Sequence, residues 1–163
     1  MTTIIRADDI APTPWKNGGG LARDLLTWPA AGPADWRLRI SLADITRDGP
    51  FSAYPGVERW FAVVEGEGVE LQFEGRVQAV RSHDAPLCFD GAAAPGCRLL
   101  AGATRDLNLM LRGVRGTLQR GLSFDEDWPQ RGRFDIATRT LHWPLPAGPL
   151  RAEREQLWIG VQA

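Results

Sequence analysis

The stretch "WFAVVEGEGVELQFEGRVQAV", residues 60–80, decides the fold class. Trp60 through Val64 form a nearly continuous apolar run. Gly66-Glu67-Gly68 breaks it. Val69, Leu71 and Phe73 then alternate with Glu70, Gln72 and Glu74, the period-two signature of a strand with one buried face. The segment therefore reads as strand, turn, strand, turn, strand, with a hairpin turn at Gly66-Glu67-Gly68.

The flanking sequence repeats the pattern. In "WRLRISLADI" (36–45), Trp36, Leu38, Ile40 and Leu42 share one side, and Arg37, Arg39 and Ser41 the other. In "DLNLMLRG" (106–113), Leu107, Leu109 and Leu111 oppose Asp106, Asn108, Met110 and Arg112. "APLCFDGAAAPGCRLLAG" (85–102) gives two more short strands around a Pro/Gly loop. Eighteen glycines and twelve prolines cut the chain into short pieces and exclude long helices. Many short strands with turn signals between them predict an all-β, antiparallel sandwich or barrel. After Gly113 the alternation loosens, and only a few proline-broken strands are expected there.

Composition narrows the function. The 163 residues are 44% apolar, enough for a core, and carry a formal net charge of −1. That balance offers no bulk field for nucleic acid or an anionic membrane. No apolar run approaches the roughly 20 residues of a membrane-spanning helix. The start, "MTTIIRADDIAP", lacks a basic segment followed by an apolar run, so a cytoplasmic location is expected. Cys88 and Cys97 then read as free thiols. His83 and His142 have no second ligand at metal spacing, no CxxC pair occurs, and no G-x-S-x-G elbow is present. Neither a metal nor a cofactor is expected.

Three clusters carry chemistry. "TPWKNGGGLARD" (13–24) holds Lys16, the single lysine of the chain, before three glycines. It is not a phosphate loop, because there the lysine follows the glycines. "GPFSAYPGVER" (49–59) places Phe51 and Tyr54 as an aromatic wall ahead of Arg59, whose guanidinium suits a carboxylate. "TRDLNLM" (104–110) puts Asp106 and Asn108 on one strand face. That face lines a cavity in a barrel and is merely solvated in a sandwich, and the sequence leaves both open.

Taken in order, "PWKNGGGLARD", "RISLADITRDGPFSAYPGVER" and "LLAGATRDLNLM" resemble the HutD/Ves family of bacterial cupin-like proteins over residues 12–112. Ala22 and Asp24 stand where threonine and glutamate are usual. The resemblance implies a cupin-type antiparallel β-barrel of the RmlC-like jelly-roll kind. It also implies a bicupin with a first barrel over residues 1–112 and a shortened second half over 113–163. It further implies a link to histidine utilization: non-enzymatic, regulatory binding of a small carboxylate such as N-formylglutamate. A homodimer is a further expectation.

On that basis Lys16 and Arg23 would place positive charge at the barrel mouth. Trp15 and Phe51 would exclude water. Asn17 and the amides of Gly18 and Gly19 would hydrogen-bond one carboxylate, and Arg39 and Arg59 a second. Ser41, Ser52 and Asn108 would orient amide or formyl groups, beside Asp106. Two or three charge-assisted hydrogen bonds, less binding costs, point to roughly micromolar to millimolar affinity. Three alternatives stay open. The arginines could pair with Asp106 or Glu58 as a purely structural network. A metal-independent isomerase or epimerase could use His83, His142 or Asp106 as its base. An interaction module could use exposed tryptophans as anchors.

Overall fold

The apolar run at 60–64 lies within a nine-residue strand that is buried on both sides over most of its length. A computed structural model describes residues 1–29 and 35–162. In chain order its strands are β1 (Thr3–Arg6), β2 (Thr13–Pro14), β3 (Gly20–Trp28), β4 (Leu38–Ile45), β5 (Gly49–Pro50), β6 (Val57–Glu65), β7 (Val69–Phe73), β8 (Arg76–Val80), β9 (Leu87–Asp90), β10 (Gly96–Leu99), β11 (Thr104–Arg112), β12 (Arg115–Phe124), β13 (Gln130–Asp135), β14 (Thr140–Trp143) and β15 (Leu150–Gln162). Two single 3-10 turns, Ala7–Asp9 and Gly91–Ala93, are the only helical elements among the described residues. No helix there is long and apolar enough to cross a membrane.

The strands form three sheets, and every pairing is antiparallel. The central sheet has the order β2-β3-β4-β11-β6-β9, and a smaller sheet has the order β5-β10-β7-β8. From β4 to β11 the chain shuttles between these two, which is the path of a jelly roll. The roll is of cupin type. It consists of two facing sheets rather than a continuous closed barrel, since no ladder joins them among the described residues.

The turn at Gly66-Glu67-Gly68 differs from the expected hairpin. β6 pairs with β11 and β9, whereas β7 pairs with β10 and β8. The glycines therefore form a corner that carries the chain from one sheet to the facing one. Gly68 sits at φ +112°, and a Cβ there would overlap the carbonyl of Val80. Only glycine relieves both constraints. The next turn, at residues 74–75, does join a true hairpin: Phe73 faces Arg76.

Two cores follow from strand parity. On one face of the central sheet Leu38, Ile40, Leu42, Leu107, Leu109 and Leu111 pack with Leu118, Phe134, Leu141, Leu157, Ile159 and Val161. The latter belong to the third sheet, β1-β14-β13-β15-β12. On the other face Ile45, Phe61, Val63 and Phe89 pack with Val69, Leu71, Val80 and Cys97 of the smaller sheet. The residue 112/113 boundary coincides with the turn from β11 to β12. β1 crosses it, pairing with β14 from Thr3 opposite Trp143 to Arg6 opposite Thr140.

Candidate functional site

Arg59 follows Val57 on β6 by two, so its side chain points between the central and smaller sheets. Met110 of β11 stands opposite it on one side and Phe89 of β9 on the other. The side chain is buried. Its guanidinium carbon lies 5.1 Å from the ring centre of Phe51, 5.5 Å from Tyr54 and 5.2 Å from Phe89. This aromatic cage offsets part of the desolvation cost by cation–π attraction. Among the described residues no carboxylate lies within ion-pair distance of Arg59. Its Nη2 donates to Asn108 Oδ1 at 3.1 Å, while Nε and Nη1 are buried without a partner. Burial pushes the Arg59 pKa below its ordinary value.

The chain of contacts continues inward. Asn108 Nδ2 donates to Asp106 Oδ2 at 2.5 Å, and Asp106 Oδ1 is buried without a partner. Burial raises the Asp106 pKa to about 8, against the smaller opposing effects of the Asn108 bond and the Arg59 charge. The folded carboxyl thus keeps its proton to higher pH than the unfolded one. The fold binds the extra proton between about pH 4 and pH 8 and loses stability as pH rises through that window. Asp106→Asn is expected to remove this slope, read as the urea midpoint against pH.

Register brings Ser41 and Arg39 onto the same face, opposite Asn108 and Met110. Ser41 is buried. Arg39 is already engaged: its Nε and Nη2 donate to Asp24 at 3.0 and 3.4 Å. Phe51 is buried and meets Trp15 edge to face at 6.3 Å. Ser52 is exposed in the loop before β6.

The glycine-rich segment is used differently from the expected anion nest. It is the turn between β2 and β3. The Gly18 amide donates to the Trp15 carbonyl at 3.0 Å, and the Gly19 amide to Asn17 Oδ1 at 2.8 Å. Asn17 Nδ2 donates to the Pro50 carbonyl at 3.2 Å. These groups are spent holding the turn against the neighbouring loop. A Cβ on Gly20 would overlap the Asp44 carbonyl and crowd the Trp15 indole, which explains a glycine there. Lys16 is exposed on this turn, with no ion-pair or hydrogen-bond partner among the described residues.

Arg23 stands apart from the site. It faces Leu42 across the β3–β4 ladder and so lies on the opposite side of the sheet from Arg59. There it donates to the Ile10 carbonyl at 3.0 Å and pairs with Asp44 at 3.2 Å, a carboxylate shared with Arg105. Sequence reasoning missed Phe89 as a wall of the Arg59 cage. Its only signal was its place in a short alternating strand, and the register with β6 had to be known to use it. Among the described residues no three His, Cys, Asp or Glu side chains cluster as a metal ion requires. Cys88 and Cys97 are unpaired, and burial pushes Cys97 up to about 12.

The arrangement can receive an anion: the unpartnered Nε and Nη1 donors of a caged guanidinium, beside an amide and a carboxyl. Comparison with known proteins agrees with the motifs. The HutD family model matches residues 7–134. An uncharacterized 21.2 kDa protein in the hutC 3' region of Pseudomonas putida is 35% identical over 107 residues, covering 66% of this chain and 56% of that protein. Protein Ves from Citrobacter koseri is 34% identical over 102 residues, covering 62% and 53% respectively. The chain thus spans about half the length of the curated relatives it matches. Among solved structures, HutD from Pseudomonas fluorescens SBW25 superposes with TM-score 0.86 at 26% identity, covering 99% of this chain and 98% of that one. A conserved protein of unknown function from Pseudomonas aeruginosa PAO1 gives TM-score 0.84 at 23% identity over the whole of both chains. The family match over most of the chain, on the fold and motifs described, places it: the chain belongs to the HutD family.

Proposed function

We propose that the protein binds a small carboxylate inside the roll, with Arg59 as its anchor, and that this binding serves regulation rather than turnover. One observation carries the reading. Arg59 is buried in an aromatic cage, its Nε and Nη1 donors have no partner, and among the described residues no carboxylate pairs with it. A buried guanidinium left in this state is costly unless something completes it, and a carboxylate is its natural complement. The purely structural network fits Arg23, Arg39 and Arg105, whose partners are internal. It does not fit Arg59.

The family relationship and the hutC-region relative support histidine utilization as the setting. N-formylglutamate is then the leading ligand. One carboxylate would reach Arg59, and Ser41 and Asn108 would orient the formyl group. Titration calorimetry with N-formylglutamate, glutamate, urocanate and formate tests the reading. Saturable binding by at least one is expected, and silence from all at millimolar concentration overturns it. Lys16→Met is expected to leave the melting temperature within about 2 °C, since exposed positions of this kind contribute within about 0.5 kcal/mol. In this reading Lys16 acts only through its long-range field, so the same substitution should weaken affinity less than about fivefold at low salt.

Asp106 also supports a second reading. A carboxyl held at about 8 suits a general base for isomerisation of a small acid. Turnover by the purified protein, lost in Asp106→Asn, would replace the binding reading.

A further inference from the structure

Asp106 is 1% exposed, and nothing in the described structure gives it a direct cationic partner. Arg59 reaches it only through the Asn108 amide. The other charged or titratable groups around it are either committed or of the wrong sign. Arg39 from β4 is paired with Asp24 of β3. Cys97 from β10 is a neutral thiol, raised by burial and by Asp106 itself. Tyr54 in the loop before β6 faces Arg59. Asp44, on the reverse face, and Asp48, near Cys97, are further carboxylates. β7 and β8 contribute the apolar Val69, Leu71 and Val80.

The charge count inside the roll then decides what a ligand does. With Asp106 ionised, Arg59 is the one cation that balances it. An anion seated on the free N–H groups of Arg59 takes that balance away and leaves a net negative charge among Phe51, Phe61 and Phe89. An uncompensated buried charge is strongly disfavoured, and a carboxyl relieves it by taking up a proton. We propose that anion binding at Arg59 is coupled to protonation of Asp106, so that the site takes up a carboxylate and a proton together. In the complex Asp106 is a neutral acid. Its Oδ1, unpartnered in the described structure, is then free to carry the proton and to donate to an acceptor oxygen of the ligand. The class of ligand this favours is an oxyacid that presents acceptors to the interior, over one that presents an ammonium or other N–H donor there.

The inference rests on the carboxylate-binding reading, and its pH signature is specific. Below about pH 7 Asp106 is largely protonated with or without ligand, and affinity is flat. Above pH 8 the free carboxyl ionises, and affinity should fall towards tenfold per pH unit while each binding event takes up nearly one proton. Loss of the proton from Arg59 would also weaken binding in alkali, so the variant Asp106→Asn separates the two. Calorimetry with formate and with N-formylglutamate from pH 6 to 9.5, in two buffers of different ionisation heat, reads affinity and proton uptake together.

In the wild-type protein, uptake near zero at pH 6 and near one at pH 9 is expected. In Asp106→Asn the slope should vanish. Binding without uptake at pH 9, or a slope that persists in Asp106→Asn, overturns the coupling and leaves the carboxylate reading standing. Absence of binding by either probe at every pH overturns both. If Asp106→Asn does not fold, carbon-13 NMR of the wild-type Asp106 carboxyl decides. A titration shifted to higher pH by saturating formate supports the coupling, and an unmoved one overturns it.

Discussion

Replacing Arg59 with methionine is expected to weaken carboxylate binding at least about 100-fold while changing stability by no more than about 2 kcal/mol. The two effects separate because the same guanidinium serves them differently. For a ligand, Arg59 offers Nε and Nη1, neither of which has a partner in the roll. A hydrogen bond to a charged group contributes about 1.5–3 kcal/mol, so loss of two amounts to a factor of about 10² or more. For the fold, the charge is a burden. Burial lowers the Arg59 pKa, which states that the folded protein disfavours the charged form. Methionine removes that cost and keeps an unbranched apolar stem among Phe51, Tyr54 and Phe89. Against this stand the Asn108 carbonyl left without its donor and, above about pH 8, an ionised Asp106 without a nearby cation. Calorimetric titration and urea unfolding measure the two sides. Affinity within tenfold of wild type would remove Arg59 from the site, and collapse of the fold would assign it to structure. Arg59→Lys should fall between, since an ammonium keeps the charge and loses the planar fork.

The second large effect lies far from the ligand. Leu157→Ala, in β15, is expected to lower stability by about 2–5 kcal/mol. Leu157 is fully buried against the leucines of β4 and β11. Folded domains have only about 5–15 kcal/mol in total, so this is a large share. The loss should appear as one transition, with circular dichroism and tryptophan fluorescence coincident. Two separate transitions would show that the halves fold independently. The reason to expect one is the shared core: the outward face of the roll's central sheet packs on the third sheet, β1-β14-β13-β15-β12, so the two halves bury one set of leucines together. A chain ending at Arg112 would expose Leu38, Ile40, Leu42, Leu107, Leu109 and Leu111 together and should be insoluble.

Legibility from sequence followed the number of covered faces. β7 and β10 carry Glu70, Gln72 and Arg98 on their outer side, and their short segments were readable. β12 and β15 were not recognised as long strands, although they span ten and thirteen residues. In β15 the residues from Gln156 to Val161 are all buried. Trp158 is stacked on Phe124 at 6.2 Å, and Gly160 lies under Trp128. The end of β12 and the loop after it cover the face that would otherwise be polar, so the alternation that announces a strand is erased. The site was partly legible for a related reason. Parity along β11 places Asp106 and Asn108 on one side, and the segment before β6 supplies Phe51, Tyr54 and Arg59. Parity could not say that Arg23 belongs to the other side of the sheet, because that depends on its register with β4.

By itself the sequence determined an all-β chain, most of its turns in the first two thirds, and the opposition of leucines to polar residues on β4 and β11. Those are consequences of local geometry: a strand alternates its side chains, and glycine and proline interrupt it. Only the tertiary structure decided that both faces of the central sheet are interior, that Gly66 to Gly68 turn a corner rather than a hairpin, and that Arg59 is caged while Arg23 is paired. Each of those depends on which distant strand stacks over which face. Partner, burial and charge state of a side chain are set across the layers of the fold, where sequence separation carries no information.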